Sequence, residues 1–92
     1  MHSTELAGRL ARDAGFTTVK HSHGFTATRS GRNGQPLLLF CLGDPIQFEF
    51  RTDPRLRVIA DGFGLAALAA TLHGMRLLRP PMLRLTYQPV RP

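Results

Sequence analysis

The sequence predicts an α+β domain of two layers: an antiparallel sheet of four to five strands with two helices on one face. Three observations carry that expectation. Residues 3–14 place Leu6, Leu10 and Ala14 at i, i+4 and i+8, the stripe of an amphipathic helix. Residues 16–60 break into short segments of period two, separated by Gly-, Asn- and Pro-containing turns. Residues 62–73 return to helical spacing through Leu65, Leu68, Ala69 and Leu72. The order is α-β-β-β-β-α-β, with the other face of the sheet open to solvent or to a partner.

The first helix starts at Ser3 or Thr4 as cap, has Glu5 near its positive end, and stops at Gly15. Ala7 and Ala11 flank its apolar stripe, and Arg9 and Arg12 lie on or near the wet side. Residues 16–20 are rich in β-branched side chains and predict a strand. Residues 23–29 predict a second, with His23, Phe25, Ala27 and Arg29 on one face and Thr26 and Thr28 on the other. Residues 30–34 form a hairpin loop, since glycine and asparagine accept positive φ.

Residues 37–42 are apolar on both faces, as in a central strand covered on both sides. Ile46, Phe48 and Phe50 alternate with Gln47, Glu49 and Arg51, as in a half-exposed strand. Phe40, Phe48 and Phe50 are assigned to the core. Residues 55–60 alternate as well, with Leu56 and Val58 inward and Arg55 and Arg57 outward. Asp61 is read as the cap of the second helix, which Gly74 closes. Pro80 and Pro81 break the chain, residues 82–87 alternate as a last strand, and residues 88–92 read as a frayed tail.

Ninety-two residues predict one domain over 1–92, near the smallest size at which one core suffices without staples. Cys41 is the single cysteine, so an intramolecular disulfide is excluded; it sits in an apolar run and reads as a small buried hydrophobe. Together with Glu5, Arg9, Arg12 and Asp13, which interrupt any leader-like apolar stretch, this predicts a cytoplasmic protein. The longest near-apolar segment, residues 62–72, is short of the ~20 residues that span a bilayer, so no membrane partner is expected.

The formal net charge is +6, from eleven Arg and one Lys against six carboxylates. Such an excess favours an acidic partner: nucleic acid, an acidic protein or a ribonucleoprotein. Arginine suits bidentate phosphate contact, but GC-rich coding also enriches it, so the charge names no particular partner.

Residues 15–34 concentrate the candidate chemistry: His21 and His23, with Lys20, Arg29 and Arg32. A metal needs a third and preferably a fourth ligand, and none stands at a ligand-like spacing; no metal or cofactor is expected. An imidazole titrates near neutrality and suits acid–base cleavage of RNA, with the nearby cations stabilising the phosphate. The competing reading is an exposed turn with ordinary polar histidines. Gly62, Phe63 and Gly64 lack the Gly-Lys-Ser/Thr ending of a phosphate loop and are read as easing the entry of the helix.

Ser3-Thr4-Glu5-Leu6, then Asp13-Ala14-Gly15-Phe16, then Lys20-His21-Ser22-His23 before Phe25, resembles the opening of HicA-type mRNA interferase toxins. The resemblance covers roughly the first forty residues. It implies a small double-stranded-RNA-binding-like fold, α-β-β-β-α, and metal-independent mRNA cleavage, with His23 catalytic and Ser22 shaping the turn. The sequence departs from the pattern at His21, where the family has glycine, and at Gly24, where it has a second histidine.

Function divides into three classes. The leading one is a binding protein that docks nucleic acid or a ribonucleoprotein by charge, without chemistry, through Lys20, Arg29, Arg32, Arg55, Arg57 and Arg84; a phage or mobile-element inhibitor is one variant. With Tyr87 and Phe25 the only expected stacking platforms, phosphate or shape recognition is favoured over base stacking. The second is a HicA-like ribonuclease toxin using His23. The third is a protein–protein adaptor, or a homodimer, that binds through an exposed apolar strand or the C-terminal tail.

Overall fold

The computed structural model describes residues 3–31, 34–53, 55 and 58–77. It is an α+β fold: α1 (Ser3–Asp13), five strands β1 (Thr17–Lys20), β2 (Gly24–Ser30), β3 (Pro36–Leu42), β4 (Gln47–Arg51) and β5 (Ala60–Phe63), then α2 (Leu65–Gly74). The strands form one antiparallel sheet in the order β1-β2-β3-β4-β5. Each strand pairs with its neighbour in sequence, so every connection within the sheet is a turn or a short loop.

One face of the sheet carries the core. Phe25 and Ala27 of β2, Leu37, Leu39 and Cys41 of β3, and Phe48 and Phe50 of β4 are all buried. They meet Ala7, Leu10, Ala11 and Ala14 of the first helical segment and Leu68, Ala69 and Leu72 of α2. Phe16 and Ile46, one residue before β1 and β4, are buried in the same cluster. The rings of Phe48 and Phe50 pack edge to face with centroids 5.8 Å apart, and Phe16 tilts against Phe50 at 6.3 Å.

The register puts Thr17, Val19, Thr26, Thr28, Leu38, Phe40, Leu42, Gln47, Glu49, Arg51, Asp61 and Phe63 on the opposite face. Phe40 therefore leaves the core group it was expected to join: it pairs with Thr26 and Glu49 on the open side, half-buried. β3 is central, as its composition implies, but the described residues cover only one of its two apolar faces.

The fifth strand falls later than expected. Asp53 accepts a hydrogen bond from the Arg55 backbone N–H at 2.8 Å, an Asx turn that places Arg55 in a bend and not on a strand face. Pairing to β4 is made by Ala60–Phe63, with Asp61 opposite Glu49, so Asp61 is a strand residue and no helix cap. The reason lies in side-chain size. A Cβ at Gly62 would stand 2.8 Å from Cζ of the buried Phe48 ring, so the strand approaches that ring only with a glycine there. Gly64, not Asp61, is the residue that precedes α2. The strand expected at residues 82–87 and the tail at 88–92 lie outside the described residues.

Candidate functional site

Helix α1 lies against the sheet so that its wet side borders the β1–β2 hairpin, leaving a groove of about 650 Å³. Its α1 wall is Thr4, Glu5, Gly8, Arg9 and Arg12, which recur at helical spacing on one side. Its sheet wall is Thr18, Lys20 and Phe25, with His21, Ser22, His23 and Gly24 at the turn, and Gly43 and Asp44 close one end.

Local geometry explains how these residues arrive there. Thr18 and Lys20 pair with Ala27 and Phe25, so the Lys20 side chain belongs to the helix side of β1, at the sheet edge where α1 leaves room. The turn is closed by the His21 backbone N–H donating to the Gly24 carbonyl at 2.8 Å. The His21 ring shares a hydrogen bond of 3.1 Å with Thr26 Oγ1, which fixes one histidine, whereas His23 is exposed on the turn. Backbone carries the base of the turn: the Gly43 N–H donates to the His23 carbonyl. A Cβ at Gly24 would stand 2.0 Å from the Cys41 carbonyl oxygen, so only glycine lets β2 and β3 pair this closely at the turn.

Gly8 and Arg12 set the depth of the groove. Arg12 folds back toward the preceding turn of α1, as helical side chains do. A Cβ at Gly8 would lie 3.4 Å from Arg12 Nη1 and 4.0 Å from Phe25 Cε1. Phe25 itself is buried, so the groove has an apolar floor but no exposed ring on which a base could stack. At the far end Ser3 Oγ donates to Asp44 Oδ1 at 2.7 Å and ties the start of α1 to the β3–β4 turn.

The groove holds three fixed cations, Arg9, Arg12 and Lys20, against the carboxylates of Glu5 and Asp44. These fixed charges give the groove a formal charge of one positive, so the arrangement can hold an anion. Among the described residues no three of His, Cys, Asp and Glu gather as a metal-binding group.

The expected site residues do not form one patch. Lys20 and His23 meet in the groove. Arg29 does not project from a hairpin tip. It shares the helix side of β2 with Phe25 and Ala27, is half-buried, and its Nη1 donates to the Ala14 carbonyl just past the end of α1. This contact closes the end of the first helical segment. Arg55 is exposed in the turn before β5, away from any regular strand. Arg51 stands on the open sheet face and its guanidinium contacts Glu49 at 3.1 Å. Arg32, Arg57 and Arg84 lie outside the described residues. Arg9 and Arg12 were not singled out from the sequence; the signal was their i, i+3 spacing on the wet side of a helix that leads directly into the histidine segment.

Among the described residues no helix is long and apolar enough to cross a membrane. The three-strand order implied by the HicA resemblance would end at β3, whereas here two further strands precede α2. No family model, no curated protein and no solved structure matches the chain.

Proposed function

We propose that the protein binds the phosphate backbone of nucleic acid through the groove between α1 and the β1–β2 hairpin. The observation that supports this is the convergence of Arg9, Arg12 and Lys20, with His23 at the turn, on one cleft of about 650 Å³. Residues separated by the whole of the first turn and β1 come together there. The net charge of +6 would draw a polyanion toward the protein, and the groove would set the register. With Phe25 buried beneath it, recognition is of phosphate and shape, not of stacked bases.

The direct test is fluorescence anisotropy with RNA and DNA oligonucleotides. The double variant Arg12→Glu/Lys20→Glu should weaken binding by at least ~10-fold, from two reversed phosphate contacts. Unchanged affinity would remove the groove from the account.

A second reading is favoured by one observation: His23 is exposed on the rim of the same groove, beside Lys20. A metal-independent ribonuclease of the HicA kind would use it as the acid–base, with Lys20 and Arg12 holding the scissile phosphate. That reading expects RNA cleavage that survives chelator, growth arrest on expression, and loss of both in His23→Ala. Full toxicity of His23→Ala would exclude it.

A further inference from the structure

The charges along the α1 groove are sorted. Glu5, Gly8, Arg9 and Arg12 recur at i, i+3, i+4 and i+7, one stripe of α1. The hydrogen bond from Ser3 to Asp44 holds the start of the helix at the β3–β4 turn, so Glu5 lies at the end that Gly43 and Asp44 close. At the other end α1 leads through residues 14–16 into β1, which brings Thr18 to the side of Arg12. Lys20 follows along β1 toward the histidine turn. The groove is therefore basic along Arg9, Arg12 and Lys20, and acidic at its closed end. From Glu5 to Arg12 the helix rises ~10 Å, about the reach of one nucleotide from its phosphate to its base edge. Gly8 puts no side chain between them.

A carboxylate in such a groove limits what can lie there. Asp44 already accepts the Ser3 hydroxyl. Glu5 is exposed, and among the described residues it makes no hydrogen bond or ion pair, even with Arg9 one turn on. A phosphate track running the full length of the groove would press a second anion against Glu5. A ligand that fits both ends carries its phosphate at Arg12 and Lys20 and presents N–H donors to Glu5.

Base chemistry then selects among nucleotides. An ionised carboxylate only accepts, through two oxygens side by side. Of the common bases, guanine alone has two adjacent donors on its Watson–Crick edge, N1–H and the N2 amine, with the acceptor O6 next to them. Adenine and cytosine offer one amine beside an acceptor, and uracil offers one N–H between two acceptors. Arg9, the neighbour of Glu5 on the same stripe, supplies a donor for O6. The edge is free only in an unpaired nucleotide. With Phe25 buried, selection comes from the edge and not from stacking.

We propose that Glu5, with Arg9 beside it, reads an unpaired guanine whose phosphate is held by Arg12 and Lys20. The proposal rests on the nucleic-acid reading of the groove and adds a base preference to it.

Fluorescence anisotropy with the full chain and short uridine oligomers that carry one central guanosine, adenosine, inosine or uridine gives the test. The wild type should bind the guanosine oligomer ~10-fold more tightly than the adenosine or uridine ones, the scale of a bidentate base contact. Inosine, which lacks the N2 amine, should lose about half of that advantage on a logarithmic scale. Glu5→Gln should lower affinity for the guanosine oligomer and raise it for the all-uridine one, because a negative charge leaves the groove. A loss of structure would instead lower every affinity together. Equal affinity for the four oligomers would overturn the proposal while leaving phosphate binding in place. A guanosine preference that Glu5→Gln keeps would overturn it too, reducing Glu5 to a stabiliser of the positive end of α1. Absence of binding to any oligomer would overturn both this proposal and the reading beneath it.

Discussion

Arg12 folds back over Gly8, so that a Cβ at residue 8 would meet its Nη1 at 3.4 Å and the ring of Phe25 at 4.0 Å. The absent side chain is what leaves a cleft between α1 and the sheet. Stability and function pull apart at this position. Gly8→Ala makes only an ordinary contact and removes a glycine from a helix, so it should stabilise the fold by about 0.5–1 kcal/mol. Gly8→Leu fills the cleft and should reduce oligonucleotide affinity by at least ~10-fold, as a group wedged between Arg12 and Phe25 displaces the ligand. Thermal unfolding and anisotropy on the two variants measure the two effects separately.

Arg29 is expected to matter for stability and not for binding. Its guanidinium donates to the Ala14 carbonyl beyond the last turn of α1. Arg29→Ala should lower unfolding free energy by about 1–2 kcal/mol through the lost bond and the orphaned carbonyl. Affinity for nucleic acid, measured below the unfolding transition, should change less than twofold. A large loss of affinity with unchanged stability would return Arg29 to the contact surface.

Gly24 and Gly62 are places where alanine should destabilise a strand, against the usual trend. At Gly24 a Cβ would collide with the Cys41 carbonyl at 2.0 Å, and at Gly62 with the Phe48 ring at 2.8 Å. Neither neighbour can step aside: one is backbone of the central strand, and the other is a core ring 1% exposed. Gly24→Ala and Gly62→Ala should each cost about 1–3 kcal/mol in chemical denaturation.

The buried Cys41 thiol gives a pH signature. Burial pushes its pKa up from 9.0 to about 11. The folded state holds this proton more tightly than the unfolded chain, so the stabilisation is complete below pH 9 and is lost as pH rises toward 11. The loss should reach about 2–3 kcal/mol. Cys41→Ala should flatten that part of the stability profile, and the wild-type thiol should resist alkylation at pH 8 until the protein unfolds.

Much of the sheet could be read from side-chain alternation, and the residues where that failed are instructive. Ile46, Phe48 and Phe50 against Gln47, Glu49 and Arg51 leave no doubt about which side of β4 is covered, and the three are indeed buried. In β3 both sets are apolar, so alternation cannot say which of Leu39 and Phe40 the helices cover. β5 was obscured by small size: Ala60 and Gly62 resemble the entry to a helix, while their smallness is what fits them over Phe48 and Phe50.

For the site, the alternation that placed Arg29 with Phe25 and Ala27 already implied the helix side, but the hairpin loop beyond it suggested an exposed tip. The groove was beyond sequence reading for another reason. Arg9 and Arg12 reach Lys20 and His23 only through the docking angle of α1, and no local pattern encodes that angle.

The central claim is that Arg9, Arg12 and Lys20 neutralise phosphates, and the salt dependence of binding measures this most directly. Plotted as the logarithm of affinity against the logarithm of salt concentration, duplex binding should fall with a slope of about −2 to −3 for the wild type. Arg12→Ala and Lys20→Ala should each make the slope shallower by about 1, while Arg55→Ala, away from the groove, should leave it as it is. A salt-independent affinity, or a slope that survives the Arg12→Ala/Lys20→Ala pair, would contradict it.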